Sequence, residues 1–136
     1  MGFSLMEMLI VVSMIGIMAL FAWPKVVTVY DRSQVRSART AARNLFEATR
    51  INARMSSTAM TFNRAGNVLW ISNNTTAATV GSPLDLAGQY NVTAAGLTAL
   101  VVDPRGLLQG AGGRLVFSRG NASDSLIISG YGRVSR

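Results

Sequence analysis

The chain has 136 residues, a length that suits one domain, and its 13 lysine and arginine residues against 6 aspartate and glutamate residues give a formal charge of +7. It has no cysteine and no histidine, which excludes disulfides, cysteine-built metal sites and the usual Ser-His-Asp and Cys-His arrangements. Asp103 and Asp124 precede a proline and a strand and are typical of turns rather than of a catalytic pair. We therefore expect no enzyme, no metal site and no cofactor.

The first long segment, residues 3–23, is apolar apart from Glu7. As a helix it would extend about 32 Å, against about 30 Å for the hydrocarbon core of a bilayer. A cleaved secretory signal peptide is the alternative, but that would need a basic segment followed by a shorter apolar stretch. The sequence therefore favours a retained membrane-spanning helix over residues 3–24.

Glu7 is the one charge in this segment, and it has two interpretations. A carboxylate within a membrane helix usually has a function and a partner. Because Glu7 lies one turn from the start of the segment, it can also simply reach back to the membrane interface. The residue alone does not separate the two.

The residues around Glu7 resemble the processing and assembly signature of type IV pilins and type II secretion pseudopilins: Gly2-Phe3, then Glu7, then an apolar run that ends at Pro24. In that family a prepilin peptidase cleaves after the glycine and methylates the new N-terminal residue. The resemblance thus implies cleavage between Gly2 and Phe3, with residues 1–2 as a leader remnant, and N-methylation of Phe3. It also makes Glu7 the assembly glutamate, with Gly16 and Pro24 bounding a stretch that can unwind in filaments.

The resemblance also implies partners and a location. A buried Glu7 needs a counter-charge, and the freed α-amino group of Phe3 on a neighbouring subunit would supply it as the helix enters a bundle of related helices. The implied partners are other pilin or pseudopilin subunits, the prepilin peptidase and the inner membrane. We expect a single-pass protein of the bacterial inner membrane that moves into a periplasmic or extracellular pilus or pseudopilus. Family leaders are longer and basic, so the natural start is expected upstream of Met1.

Residues 25–55 are predicted to form an amphipathic helix, clearest from Asp31 to Met55, where glycine and proline are absent. Its basic side, the arginine stripe, is about 60° wide and includes Glu47. The stripe consists of Arg32, Arg36, Arg39, Arg43, Arg50 and Arg54. The opposite side is small and apolar and suits packing on a sheet: Ala38, Ala41, Ala42, Leu45, Ala48 and Met55. The stripe is a solvated face, a contact for acidic neighbours in a filament, or a site for an anionic polymer such as DNA.

Residues 56–136 read as a β-rich globular domain, with short apolar or alternating runs between polar turns. We predict a hairpin turn at Arg64–Gly66 and a polar loop over Asn73–Pro83. The predicted strands are Thr58–Asn63, Asn67–Ser72, Gln89–Thr93, Thr98–Asp103, Gly113–Arg119, Ser125–Ser129 and Gly132–Val134. The fold class is α+β: a long N-terminal helix, membrane-spanning and then amphipathic, packed on one antiparallel sheet of five to seven strands, as in pilins.

The last third resembles GspH/FimT-type minor pilins and pseudopilins, in Asp103–Gly106, Gly113–Phe117, Leu126–Ser129 and Gly132–Val134. Some members of that group bind DNA through a terminal Gly-Arg-x-Arg tail. Here the tail is Gly132-Arg133-Val134-Ser135-Arg136, and the second arginine comes one place late, so a strand would not present the two as the family's pair. Arg133 then only discourages pairing at a sheet edge.

The sequence thus leaves a leading function and two alternatives. The leading one is a minor type IV pilin or pseudopilin, a structural subunit of a pilus or type II secretion pseudopilus. The second is a DNA-binding minor pilin of a competence pilus, because residues 24–136 carry a net charge of +8 (13 cations, 5 acids). A major pilin is the lesser alternative. The candidate DNA-binding residues are Arg133, Arg136, Arg32, Arg36, Arg39 and Arg43.

Overall fold

The computed structural model describes residues 4–135. Over these residues the elements in chain order are α1 (Leu5–Ser56), β1 (Met60–Ala65), β2 (Val68–Asn73), β3 (Thr79–Asp85), α2 (Leu86–Tyr90), β4 (Thr93–Gly96), β5 (Ala99–Val102), β6 (Leu108–Gln109), β7 (Gly113–Arg119), β8 (Ala122–Ile128) and β9 (Val134–Ser135). The α+β class predicted from the sequence is confirmed.

Helix α1 runs for 52 residues without interruption. It passes through Gly16 and through Pro24, although Pro24 has no N–H to donate to the preceding turn. The Thr28 hydroxyl donates to the Pro24 carbonyl at 2.9 Å. The helix ends at Ser56 and is capped by Ser57, which has a left-handed conformation (φ 51°) and donates its N–H to the Arg54 carbonyl. One rod therefore carries both the apolar and the amphipathic segments.

The strands form two antiparallel sheets, where a single sheet was expected. The first has the order β3-β2-β1-β5-β6 and the second the order β4-β7-β8-β9. After α2 the chain does not return to the first sheet: β4 pairs with β7, from Thr93 opposite Ser118 to Gly96 opposite Leu115. Helix α1 contacts strands of both sheets and holds them in one globular head.

The core of this head lies between α1 and the two sheets. On the helix the buried residues are Val35, Ala38, Ala42, Phe46, Thr49 and Ala53. The predicted packing face is therefore right at Ala38 and Ala42 but wrong at Met55, which is 79% exposed. The rings of Phe46 and Phe62 meet edge to face with centroids 5.9 Å apart. Two small alanines, one turn apart, let the helix approach the strands closely.

Two predicted elements are wrong. The polar loop Asn73–Pro83 contains most of β3, an edge strand that pairs with β2 with a register shift opposite Trp70. The predicted strand Gln89–Thr93 instead starts within α2. That helix begins because the Asp85 carboxylate accepts hydrogen bonds from the N–H groups of Ala87 and Gly88, both at 3.0 Å. The hairpin between β1 and β2 is confirmed, with its turn at Gly66 and Asn67.

Candidate functional site

The N-terminal part of α1, up to Val29, lies outside the packed core of the described residues. Every residue from Ser4 to Tyr30 is exposed, including long apolar side chains such as Leu20 (75%) and Trp23 (72%). The helix is long and apolar enough to cross a membrane. We call residues 5–30 the bare helix. It is the largest apolar surface of the described chain, and such a surface marks a contact with lipid or protein.

The candidate assembly residues Glu7, Gly16 and Pro24 all lie on the bare helix. Glu7 is in its first turn, and no cation among residues 4–135 forms an ion pair with it. Gly16 has open space on its outer side, since an added Cβ would meet nothing within 4 Å. The predicted cleavage and methylation positions, Gly2 and Phe3, lie outside the described residues.

Helix α1 is fixed where it enters the head. Arg119, at the end of β7, donates from Nε to the Asp31 carboxylate at 2.8 Å and from Nη1 to the Tyr90 carbonyl at 2.6 Å. Its guanidinium also lies 4.8 Å from the centre of the Tyr30 ring. The next residue, Gly120, leaves room for this contact, because a Cβ there would lie 2.7 Å from an Asp31 oxygen. We call Tyr30, Asp31 and Arg119 the entry clamp.

The six arginines of the arginine stripe fall into two sets with different contacts. Arg50 donates from Nε to the Gly106 carbonyl at 3.0 Å and pairs with Glu47 at 3.2 Å. Arg54 donates to the Arg105 carbonyl at 2.9 Å. These two arginines therefore fasten the loop between β5 and β6 to the helix, and they serve the fold.

The other four stripe arginines lie along a groove between α1 and the β8–β9 side of the second sheet. The groove consists of two hollows of about 420 Å³ each: Arg32 and Arg36 line one, Arg39 and Arg43 the other. Arg39 forms an ion pair across the groove with Asp124, 3.3 Å from Nη1 to Oδ2. Arg32, Arg36 and Arg43 are exposed, and none of them pairs with a carboxylate within residues 4–135. We call this the basic groove.

Every carboxylate of the head already has a partner within the chain. Asp31, Glu47 and Asp124 pair with arginines. Asp85 caps α2, and Asp103 accepts hydrogen bonds from the N–H groups of Arg105 and Leu107, at 2.9 and 2.8 Å. Within residues 4–135, the charges of Arg32, Arg36 and Arg43 therefore have no carboxylate partner, whereas Arg39 is paired with Asp124. Among the described residues, no group of acids lies close enough together to hold a metal ion.

The candidate tail residue Arg133 does not line either hollow of the basic groove. Arg133 lies before β9 rather than within a strand, so the expected strand Gly132–Val134 is wrong at its start. Its backbone N–H donates to the Ser129 hydroxyl at 3.1 Å, and its side chain is exposed. Val134 and Ser135 help to line one hollow of the groove. Arg136 lies outside the described residues.

Two structural arginines were missed from the sequence. One is Arg119 of the entry clamp. The other is Arg64 on β1, which donates to the carbonyls of Ala94, Gly96 and Leu97 and so joins the two sheets. Local signals for both are weak, because the partners lie about 30 to 90 residues away in the chain. Only the Gly120-Asn121 turn that follows Arg119 marks its position in a hairpin.

The geometry agrees with solved structures of one protein. No protein-family model matches the chain, and no curated protein matches it. The type IV minor pilin FimU of Pseudomonas aeruginosa (strain PAO1), in space group P21, superposes with a TM-score of 0.63 at 17% identity, over 76% of this chain and 88% of that one. The same minor pilin in space group P65 gives 0.58 at 17% identity, over 74% and 90%. The chain has the pilin fold.

Proposed function

We propose that this protein is a minor type IV pilin, a structural subunit that enters a pilus from the membrane. The observation that carries the proposal is the bare helix: α1 is continuous, its second part is built into the head, and its first 26 residues are all exposed, with only the Tyr30 ring in contact with the described head. The fold shared with a minor pilin supports the same conclusion. The proposal includes the same structural role in a type II secretion pseudopilus, which is a related filament.

The physical argument concerns the two environments in which the bare helix is stable. A row of exposed Leu, Ile, Val and Met side chains is unstable in water, at roughly 25 cal/mol per Å² of apolar surface. A bilayer covers that surface before assembly, and the helices of neighbouring subunits cover it afterwards. Glu7 favours the packed helices over the bilayer, because among those helices an amino group of a neighbouring subunit can neutralise its charge.

Processing and membrane insertion belong to this proposal. A prepilin peptidase in the inner membrane cuts between Gly2 and Phe3 and methylates the new terminus. The α-amino group of Phe3 on one subunit then pairs with Glu7 of its neighbour. The head lies on the far side of the membrane, and the assembled subunit is part of a periplasmic or extracellular filament.

The test replaces Glu7 in the full chain in a host that builds the filament. Glu7→Ala should insert into the membrane at least as well as the parent chain, because a charge is removed from the apolar segment. Its share in sheared filaments, measured by immunoblot against the membrane fraction, should fall at least about tenfold, because the partner amino group is left without a counter-charge. Ser13→Ala, also on the bare helix, is the matched control and should assemble normally. Equal incorporation of Glu7→Ala and parent would show that the pairing is wrong.

A second candidate function, DNA binding during uptake, is favoured by the exposure of Arg32, Arg36 and Arg43. Contacts from these side chains to phosphate would be independent of base sequence and would weaken with salt, each adding about 0.9 to the log–log slope on duplex DNA. Neutralising the three to Gln should then lower the slope by about 2.7. Arg133→Gln with Arg136→Gln should lower it by up to about 1.8 if the tail binds instead. Unchanged slopes in both variants would exclude both sites.

A further inference from the structure

We propose that the basic groove binds an acidic helical segment of a different subunit, so that this chain is placed in its filament between unlike neighbours. The inference rests on the proposed function, which does not say which subunits lie next to this chain in the filament. It names the chemistry of one such neighbour. Its starting observation is a row of three exposed arginines, Arg32, Arg36 and Arg43, on one side of α1. They border two hollows that other side chains of the head do not fill.

The spacing of these arginines defines what fits. They are separated by 4 and 7 residues on a regular helix, which corresponds to about 6 Å and about 10.5 Å along its axis. A neighbouring helix with carboxylates at the same steps presents one acid to each arginine. Arginine and carboxylate groups form paired hydrogen bonds of suitable geometry. The matching partner is thus a helix with acids that recur at steps of 4 and 7.

A second copy of this chain does not meet that requirement. All five carboxylates of the head are already engaged, in ion pairs with Arg39, Arg50 and Arg119 or in backbone hydrogen bonds. A two-fold symmetric contact between two copies would bring arginine against arginine along the groove. Like charges placed opposite one another oppose association and so select between partners.

The position of the groove favours a subunit over nucleic acid. Arg32 lies two residues beyond the bare helix on the same continuous rod. Where the bare helix packs beside other helices, the groove lies next to that same contact. None of the residues that line the two hollows is aromatic and able to stack on a base.

The experiment uses the full chain in the filament-building host, with a photo-crosslinking amino acid in place of Thr40. Thr40 is exposed and lines the groove. The same replacement at Gln89, exposed on α2 and outside the groove, is the matched control. Mass spectrometry of the adduct should identify a peptide of another pilin-like subunit with carboxylates at helical spacing. Adducts with a second copy of this chain or with nucleic acid would overturn the proposal.

Two charge variants give the quantitative arm. The groove variant is Arg32→Gln/Arg36→Gln/Arg43→Gln, and the control variant, which removes the same three units of charge at exposed positions elsewhere, is Arg105→Gln/Arg114→Glu. The crosslink yield should fall about tenfold in the groove variant, as expected for three weak ion pairs acting together, and less than about twofold in the control. A charge swap completes the test. A groove variant with glutamate in place of Arg32, Arg36 and Arg43 should assemble poorly with the natural partner, and replacing the crosslinked acids of the partner by arginine should restore its assembly.

The two proposals fail in different ways. If the parent chain is present in filaments and the groove variant crosslinks and assembles equally well, the acidic partner is wrong and the pilin function stands. If the parent chain is absent from filaments that its host builds, the pilin function is wrong and the partner proposal falls with it.

Discussion

Replacing Arg119 by glutamine should loosen the entry of α1 into the head. The side chain of Arg119 is 19% exposed and that of Asp31 16% exposed, so this ion pair is largely shielded from solvent. A hydrogen bond to a charged group contributes about 1.5–3 kcal/mol, and the contact with the half-exposed Tyr30 ring adds about 0.5 kcal/mol. We therefore expect Arg119→Gln to lower the free energy of unfolding by about 3 kcal/mol.

The assay is urea denaturation of residues 25–136, followed by circular dichroism. With an m-value of about 1.5 kcal/mol/M, the midpoint should fall by about 2 M urea. Arg114→Gln is the matched control: Arg114 is on the same strand, is exposed, and makes one hydrogen bond to the Ser125 hydroxyl at 3.2 Å. It should change stability by no more than about 0.5 kcal/mol.

A double-mutant cycle with Asp31→Asn isolates the pair itself. The coupling energy should be about 1.5 kcal/mol, because each single change removes the same interaction. A coupling energy near zero, or an Arg119→Gln midpoint equal to that of Arg114→Gln, would refute the reasoning and assign the stability of the helix entry to apolar packing alone.

Three further predictions concern the core, the truncated chain and processing. Phe46→Ala should cost about 3–5 kcal/mol in urea denaturation because the ring is fully buried, whereas Ile51→Ala, on an exposed side of the same helix, should cost little. Residues 30–136 should be a soluble monomer by sedimentation, since all of the bare helix except Tyr30 is removed; self-association would mean that the head has a further apolar contact surface. A bulky residue in place of Gly2 should block the peptidase, and an intact mass that still includes Met1 would be the readout.

The helix and the central strands could be predicted because their signals are local. The 3.6-residue pattern of α1 and the alternation in β7 are visible in any short window, and Gly113–Arg119 is placed to the residue. The strand β3 was not predictable in this way. It lies at a sheet edge and is exposed along most of its length, so its sequence has no alternation, and it includes Pro83, which a central strand would not tolerate.

The division into two sheets and the use of the arginines depend on contacts between distant parts of the chain. No window of sequence shows that Arg64 contacts the carbonyls of Ala94, Gly96 and Leu97. Nor does it show that Arg50 and Arg54 hold a loop to the helix. The helical spacing in the sequence predicted only that the six stripe arginines lie on one side of the helix. Tertiary packing then decided that Arg32, Arg36 and Arg43 have no ion pair within residues 4–135.

Helix α1 is a single rod that is fixed to the head at Asp31. The rotation of the head about the helix axis, relative to the bare helix, is therefore set by the number of residues between Pro24 and Asp31. One residue added between Pro24 and Tyr30 would raise the head by about 1.5 Å and turn it by about 100° about the helix axis. Four added residues would raise it by about 6 Å but bring it back to within about 40° of its original direction. The number of residues in this stretch therefore sets the direction in which the basic groove points, and with it which neighbour in a filament the groove faces.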